Sequence, residues 1–130
     1  MSESRPIDLN YEARRGQSAP FDWGRALWLT VAICLPPIVC YAWATLSIDW
    51  LYRQPWWHSG QPWEGIYRPL FIERPWKVCT LVLVLEAVLV IAMVVRRRWP
   101  AYWLAALPVE FVVWMTFNVM MFIQDEGVFP

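Results

Sequence analysis

Two acidic residues stand inside long apolar stretches of the sequence, where charge is costly. Glu86 is the only charged residue within positions 78–95, and Glu110 is the only one within 99–124. An ionised carboxylate at the centre of a bilayer costs about 2.5–3.5 kcal/mol. We therefore expect each carboxyl group to be protonated, hydrogen-bonded, paired with a cation or in contact with a partner.

The spacing of the two glutamates predicts that they lie at similar depth. Glu86 comes ten residues before Arg96, and Glu110 comes ten residues after Pro100. In an antiparallel hairpin each would lie about 15 Å from the turn. Carboxyl groups that face each other there would share a proton and titrate as a pair. Such a pair suits a proton or cation relay, or general acid chemistry on an apolar substrate. A neutral carboxyl group that bonds a helix of this or another subunit is the structural alternative.

Other side chains of the apolar stretches are candidates for binding rather than catalysis. Asn118 is expected to hydrogen-bond a neighbouring helix or partner, together with the two glutamates. Trp43, Trp114 and Phe117 are candidates for contact with a pigment, quinone or lipid, because aromatic rings pack well on such molecules.

The residue types that usually hold metals are sparse. The sequence has one histidine, His58, and three cysteines, Cys34, Cys40 and Cys79, at spacings that fit no metal motif. We predict no metal site, no catalytic residue set, and no covalently or axially held cofactor. Non-covalent binding of a carotenoid, quinone or lipid stays open.

The segment LPVEFVVWMTFN, residues 107–118, resembles a helix of the small heterodimeric lycopene cyclases. The matching positions are Pro108, Glu110, Trp114 and Asn118, while Phe111 stands where that family has a second acid. The resemblance covers about a dozen residues. It implies a three-helix membrane protein in which Glu110 is the acid for ring closure of a carotene end group.

The elements that must position these residues are three membrane-spanning helices. The chain is 58% hydrophobic and 17% charged, against roughly 25% charged residues in ordinary soluble proteins. Apolar stretches of the length that crosses a bilayer predict transmembrane helices at 26–48, 78–95 and 100–123. The fold class is therefore all-α integral membrane, with a tight helical hairpin between the second and third helices, turning at 96–99. Zero net charge gives no support to a nucleic-acid partner.

The remaining segments are a tail at 1–25, a Trp- and Pro-rich loop at 49–77 and a tail at 124–130. Prolines and glycines in the loop argue against regular structure. Its aromatic residues predict that it lies on the membrane surface or against another subunit. The candidates for that contact are Trp56, Trp57, His58 and Trp63.

Lysine and arginine placement predicts the orientation. The first tail carries four arginines and the hairpin turn three, whereas the long loop carries four basic residues. Positive charge favours the cytoplasmic side. We therefore expect a cytoplasmic N-terminus and an external C-terminus in a bacterial inner (cytoplasmic or intracytoplasmic) membrane.

These features favour an accessory subunit of a larger membrane complex over an enzyme. The complex would be a bacterial energy-transducing one, photosynthetic or respiratory, in which the chain packs against other membrane subunits and the lipid bilayer. The alternatives are a carotenoid-modifying half-enzyme with Glu110 as acid, and an oligomeric proton or cation carrier that uses Glu86 and Glu110.

Overall fold

The chain folds as a bundle of long helices. The computed structural model describes residues 20–57 and 63–127, and no β-strand occurs within these ranges. The α-helices are α1 (Trp23–Tyr52), α2 (Arg74–Val95) and α3 (Ala106–Gly127). Each packs against the other two. The all-helical prediction is confirmed, as is the prediction of three helices long and apolar enough to cross a membrane.

The α1 helix begins at a capping residue and buries one stripe of its surface. The Asp22 carboxylate accepts a hydrogen bond from the Arg25 backbone N–H at 3.1 Å, which satisfies a free donor of the first turn. The helix continues through Pro36 and Pro37. Its buried residues recur every three or four positions: Ile33, Pro37, Cys40, Ala44, Ile48 and Leu51.

The segment before α2 is more regular than its sequence suggests. Two π-helical turns, Trp63–Tyr67 and Pro69–Glu73, lead directly into α2, and α1 itself extends to Tyr52. For the described residues 49–57 and 63–77, this corrects the expectation that prolines and glycines prevent regular structure. The physical reason is the position of the prolines. Pro69 and Pro75 stand in the first turns of their helical segments, where a missing N–H costs nothing.

The turn between α2 and α3 agrees with the predicted hairpin. Helix α2 ends at Val95, and a short 3-10 helix, Ala101–Ala105, leads into α3. A 3-10 turn accommodates Pro108, which has no N–H to offer the Leu104 carbonyl. The N–H of Ala106 instead points to the carbonyls of Trp103 and Leu104.

The core lies along the line where the three helices meet. On α3 the buried positions follow a seven-residue spacing, which returns to the same helix face after two turns. They are Glu110 and Phe117, followed by Met121, and Trp103 in the preceding 3-10 helix lies seven residues before Glu110. On α2 the buried side chains around Glu86 are Cys79, Leu83 and Val90. Both glutamates therefore belong to the interior stripes of their helices.

Candidate functional site

Two hydrogen bonds between side chains fix the register of α2 against α3. The indole Nε1 of Trp114 donates to Thr80 Oγ1 at 3.1 Å. One turn away, the indole of Trp76 donates to Asn118 Oδ1. The pairs advance by four residues in opposite directions along the two helices. The next step of this antiparallel register places residue 84 of α2 beside residue 110 of α3.

Polar contacts also close the end of the bundle that contains Asp125. The Arg68 guanidinium donates two hydrogen bonds to the Asp125 carboxylate, at 3.1 and 2.8 Å. This forked geometry ties the helical turns before α2 to the end of α3. On the other side, Thr45 Oγ1 of α1 donates to Gln124 Oε1 at 3.4 Å.

The register brings Glu86 and Glu110 to the same level of the bundle. Because residue 84 lies beside Glu110, Glu86 is offset by only two residues, about 3 Å along the helix axis. Glu110 is 5% exposed and Glu86 is half-buried. The structure thus brings together the two acids that the sequence placed at similar depth.

Each carboxyl group has a buried oxygen without a hydrogen-bond partner within the described part of the chain. The atoms are Glu86 Oε2 and Glu110 Oε1. Asn118, by contrast, accepts from Trp76 and donates from Nδ2 to the Trp114 carbonyl at 2.7 Å. Buried polar groups are normally bonded, so an unpartnered carboxyl oxygen is available for a proton or a ligand. Asn118 is thus hydrogen-bonded through both its side-chain oxygen and its nitrogen, whereas Glu86 and Glu110 each keep a buried oxygen without a partner among the described residues.

Glu110 borders an apolar groove between α2 and α3. The cavity has a volume of about 320 Å³, and Trp114 and Phe111 form its aromatic wall. Thr80, Val84 and Ala87 line the opposite side. An acid in such a groove can hold or transfer a proton next to an apolar molecule, with little water to compete.

A second groove runs between α1 and α3. It has a volume of about 470 Å³, and small or flat residues of α1, among them Cys34, Pro37 and Ala42, form one wall. Phe117, itself buried, lies on the α3 wall. Of the predicted aromatic contacts, Trp114 and Phe117 therefore border different grooves. Trp43 is 39% exposed on the surface of α1.

Aromatic residues form a cluster at the Asp125 end. The Trp56 ring stacks on Tyr67 at 5.8 Å between centroids, and Trp57 meets Tyr67 edge-on at 5.7 Å. Tyr67 in turn stacks on Phe71 at 6.1 Å. Trp57, Tyr67 and Phe71 pack against the chain's own core, whereas Trp56 is an exposed residue. His58 and the side chain of Trp63 lie outside the described part of the structure.

Sequence reasoning missed two features of the interior. Cys40 of α1 and Cys79 of α2 are buried in the same core cluster, although they lie far apart in the sequence. Trp76 and Thr80 act as partners of α3 residues. Trp76 and Thr80 are four residues apart on α2, as Trp114 and Asn118 are on α3. This matched spacing is the sequence signal that could have predicted the pairing. Within residues 20–57 and 63–127 no group of three or more His, Cys, Asp or Glu is placed to hold a metal.

The chain was also compared with known proteins. No family model, no curated protein and no solved structure matches it.

Proposed function

We propose that this protein is an accessory subunit of a larger assembly in a bacterial inner membrane, with its N-terminus cytoplasmic. The three long apolar helices support the membrane location. The arginines of the hairpin turn, Arg96–Arg98, support the orientation. An energy-transducing complex, photosynthetic or respiratory, is the class of assembly proposed, with other membrane subunits as partners.

The observation that carries this proposal is the groove between α1 and α3. Cys34, Ile38 and Ala42 repeat at four-residue spacing along its α1 wall, and Thr116 and Met120 follow the same spacing on α3. Cys34, Ala42 and Thr116 among them have small side chains, which let a neighbouring helix approach closely, as is common where membrane helices associate. The groove suits a helix of a partner subunit whose larger side chains fill the space.

The small share of buried residues supports the same proposal. Within the apolar windows of the helical stretches Trp23–Tyr52, Gly65–Val95 and Ala101–Glu126, only 28%, 17% and 22% of residues are buried inside the chain. The hydrogen bonds described between α2 and α3 join polar side chains of this chain to one another. Many large hydrophobic side chains are exposed on the outer surface of the helices. Such a surface fits lipid and the apolar faces of other subunits.

Purification in mild detergent from the native membrane tests the proposal. The wild-type chain should co-purify with other membrane proteins in fixed ratio. Ala42→Phe fills the α1–α3 groove and should release those partners. Val88→Phe, on an exposed position of α2, adds the same bulk elsewhere and should keep them. A stable wild-type monomer without partners would contradict the proposal.

The groove beside Glu110 favours a second candidate, acid catalysis on an isoprenoid. The Glu110 carboxyl would donate a proton to a carbon–carbon double bond, and ring closure followed by proton loss would balance the reaction without a redox partner. The apolar, aromatic wall of Trp114 and Phe111 suits such a substrate. Phe111 occupies the position of the second acid in the lycopene cyclases, so in this candidate Glu110 acts without that neighbour.

Expression in a lycopene-producing host, together with genomic neighbours, tests this candidate. Cyclic carotenes should form with the wild-type chain and with Glu73→Gln, an acid near the Asp125 end. They should be lost with Glu110→Gln. Unchanged pigment in all strains would remove the candidate.

The proximity of Glu86 and Glu110 also favours an oligomeric proton or cation carrier. In this case Glu86→Gln and Glu110→Gln should each abolish ion flux into reconstituted vesicles while oligomer size stays the same. Normal flux in both variants would exclude this role.

A further inference from the structure

A cavity at the end of the bundle that contains Arg96–Arg98 is chemically unlike the two apolar grooves. It has a volume of about 670 Å³. Three parts of the chain build it: the entry to α1 around Asp22 and Arg25, the turn with Arg97 and Arg98, and the 3-10 helix after that turn, with Tyr102 and Trp103. Phe21 stacks on Tyr102 at 5.2 Å between ring centroids and so fixes the first part against the third.

The cavity carries an excess of positive charge. Asp22 pairs with Arg25, with 3.0 Å between carboxylate and guanidinium. Arg97 and Arg98 line the same cavity and form no ion pair with any residue that the structure describes. Two guanidinium groups are therefore left to meet an anion. Arginine binds phosphate with a planar fork of donors, which gives both strength and geometry.

Arg97 adopts a backbone conformation that arginine rarely takes. Its φ is 54°, and it occupies the position after the α2 C-cap, where glycine is usual. The backbone N–H groups of Arg97 and Arg98 close the helix end by bonding the carbonyls of Val94 and Met93, both at 2.9 Å. Glycine would make the same bonds without strain, so the backbone gives no reason for an arginine here. What arginine adds at this position is its positively charged side chain.

The Trp103 indole supplies a neutral donor at the same place. Trp103 is 5% exposed and lines the cavity, and its Nε1 has no hydrogen-bond partner within the described residues. A buried indole N–H normally finds an acceptor. The cavity thus offers two guanidinium groups that form no ion pair with a described residue, next to a buried indole N–H, while its one carboxylate is already engaged.

We propose that this cavity binds the phosphate of an anionic phospholipid headgroup. Its position identifies the source of the phosphate. Val94 at the end of α2 lines the cavity, and Val95 and Leu104 beside it are exposed apolar residues that fit acyl chains. Exposed tryptophans of α1, Trp23 and Trp28, match the aromatic residues found at the headgroup level. The inference rests on the proposed membrane location, and it does not depend on the proposed partner assembly.

Native mass spectrometry of the purified, delipidated full chain in detergent tests the proposal. Titration with phosphatidylglycerol should show one tight site, phosphatidylcholine should bind at least about tenfold more weakly, and inorganic phosphate should not compete at millimolar concentration. Equal binding of both lipids would overturn the proposal. Competition by inorganic phosphate would also overturn it, since the site would then serve a soluble anion.

Three variants separate lipid binding from folding. Arg97→Gly suits the backbone, so it should keep or raise the melting temperature while phosphatidylglycerol binds about tenfold more weakly. Arg98→Gln, whose backbone is unstrained, should weaken binding in the same way. Trp103→Phe removes the indole N–H together with one ring of the side chain, so the several-fold weaker binding expected for it is compared with its own melting temperature.

Arg53→Gln is the matched control, because it removes one positive charge at the opposite end of α1, where Arg53 pairs with Asp49. Phosphatidylglycerol binding should be unchanged in this variant. Unchanged binding in both Arg97→Gly and Arg98→Gln, or an equal loss in Arg53→Gln, would overturn the proposal. Absence of phosphatidylglycerol binding in a chain that fractionates with membranes would overturn the lipid site alone. A chain that does not fractionate with membranes would overturn the proposed membrane location. The two failures are therefore distinguishable.

Discussion

Trp76 of α2 donates its indole N–H to the side-chain oxygen of Asn118 on α3. The Asn118 amide also donates to the Trp114 carbonyl, and the Trp114 indole donates to Thr80 of α2. Two hydrogen bonds one turn apart thus join α2 to α3, and the bond from Asn118 to Trp114 links them along α3. Two turns deeper along α3, Glu110 shares the interior but has an oxygen without a partner. The bonded residues hold the bundle together, whereas the unbonded acid is free for another task.

Replacement of Asn118 by leucine should destabilise the bundle. The substitution leaves the Trp76 indole N–H without its acceptor, and inter-helix bonds of this kind contribute about 0.6–2 kcal/mol. We expect a loss of about that size in unfolding from detergent micelles. Val119→Leu, at an exposed neighbouring position, should have little effect. In a double-mutant cycle with Trp76→Phe the two effects should not add, and full additivity would mean that this bond is absent.

Replacement of Glu110 by leucine should leave stability unchanged or raise it. The side chains have similar volumes, and the substitution removes a buried polar atom that has no partner. The measurement is the same unfolding experiment, with Asn118→Leu as the contrasting variant. A loss above about 1 kcal/mol for Glu110→Leu would show that the carboxyl group has a structural partner after all.

The ion pair between Arg68 and Asp125 should be restored by exchanging its charges. Arg68→Asp or Asp125→Arg alone should speed proteolysis at the Asp125 end, because the pair joins the turns before α2 to the end of α3. The double variant should recover most of the protection. Since the Arg68 side chain is 44% exposed, the pair contributes no more than about 1 kcal/mol, and high salt should weaken it. The same exchange at the exposed Asp49–Arg53 pair should change little, and failure of the double variant to recover would argue against the contact.

Mild oxidation should link Cys40 to Cys79. Both thiols are free and lie in the same buried core cluster, one on α1 and one on α2, so an oxidant that removes two hydrogens should join them as a disulfide. Mass spectrometry of peptides before and after reduction identifies the link. Cys34→Ser should still form it, and Cys79→Ser should not. A link between Cys34 and Cys79 in place of this one would show that α1 is rotated relative to the structure.

The sequence determined the number of long apolar helices, the hairpin turn at Arg96–Arg98 and the common level of Glu86 and Glu110. These follow from hydropathy, helix length and the rise per residue, which are properties of single helices. The sequence also carried the seven-residue spacing of Trp103, Glu110 and Phe117, which places the acid on the buried face.

Tertiary structure alone decided which polar groups found partners. Trp76 meets Asn118, and Arg68 meets Asp125, only because α2 and α3 pack in one register. Cys40 and Cys79 share one core cluster only because α1 turns that face inward. The proposed phosphate site likewise needs the entry to α1 beside the turn and 3-10 helix that precede α3, including an arginine in a left-handed conformation. Helix propensity and hydropathy describe each segment by itself, whereas the register and rotation between helices depend on the side chains of all three.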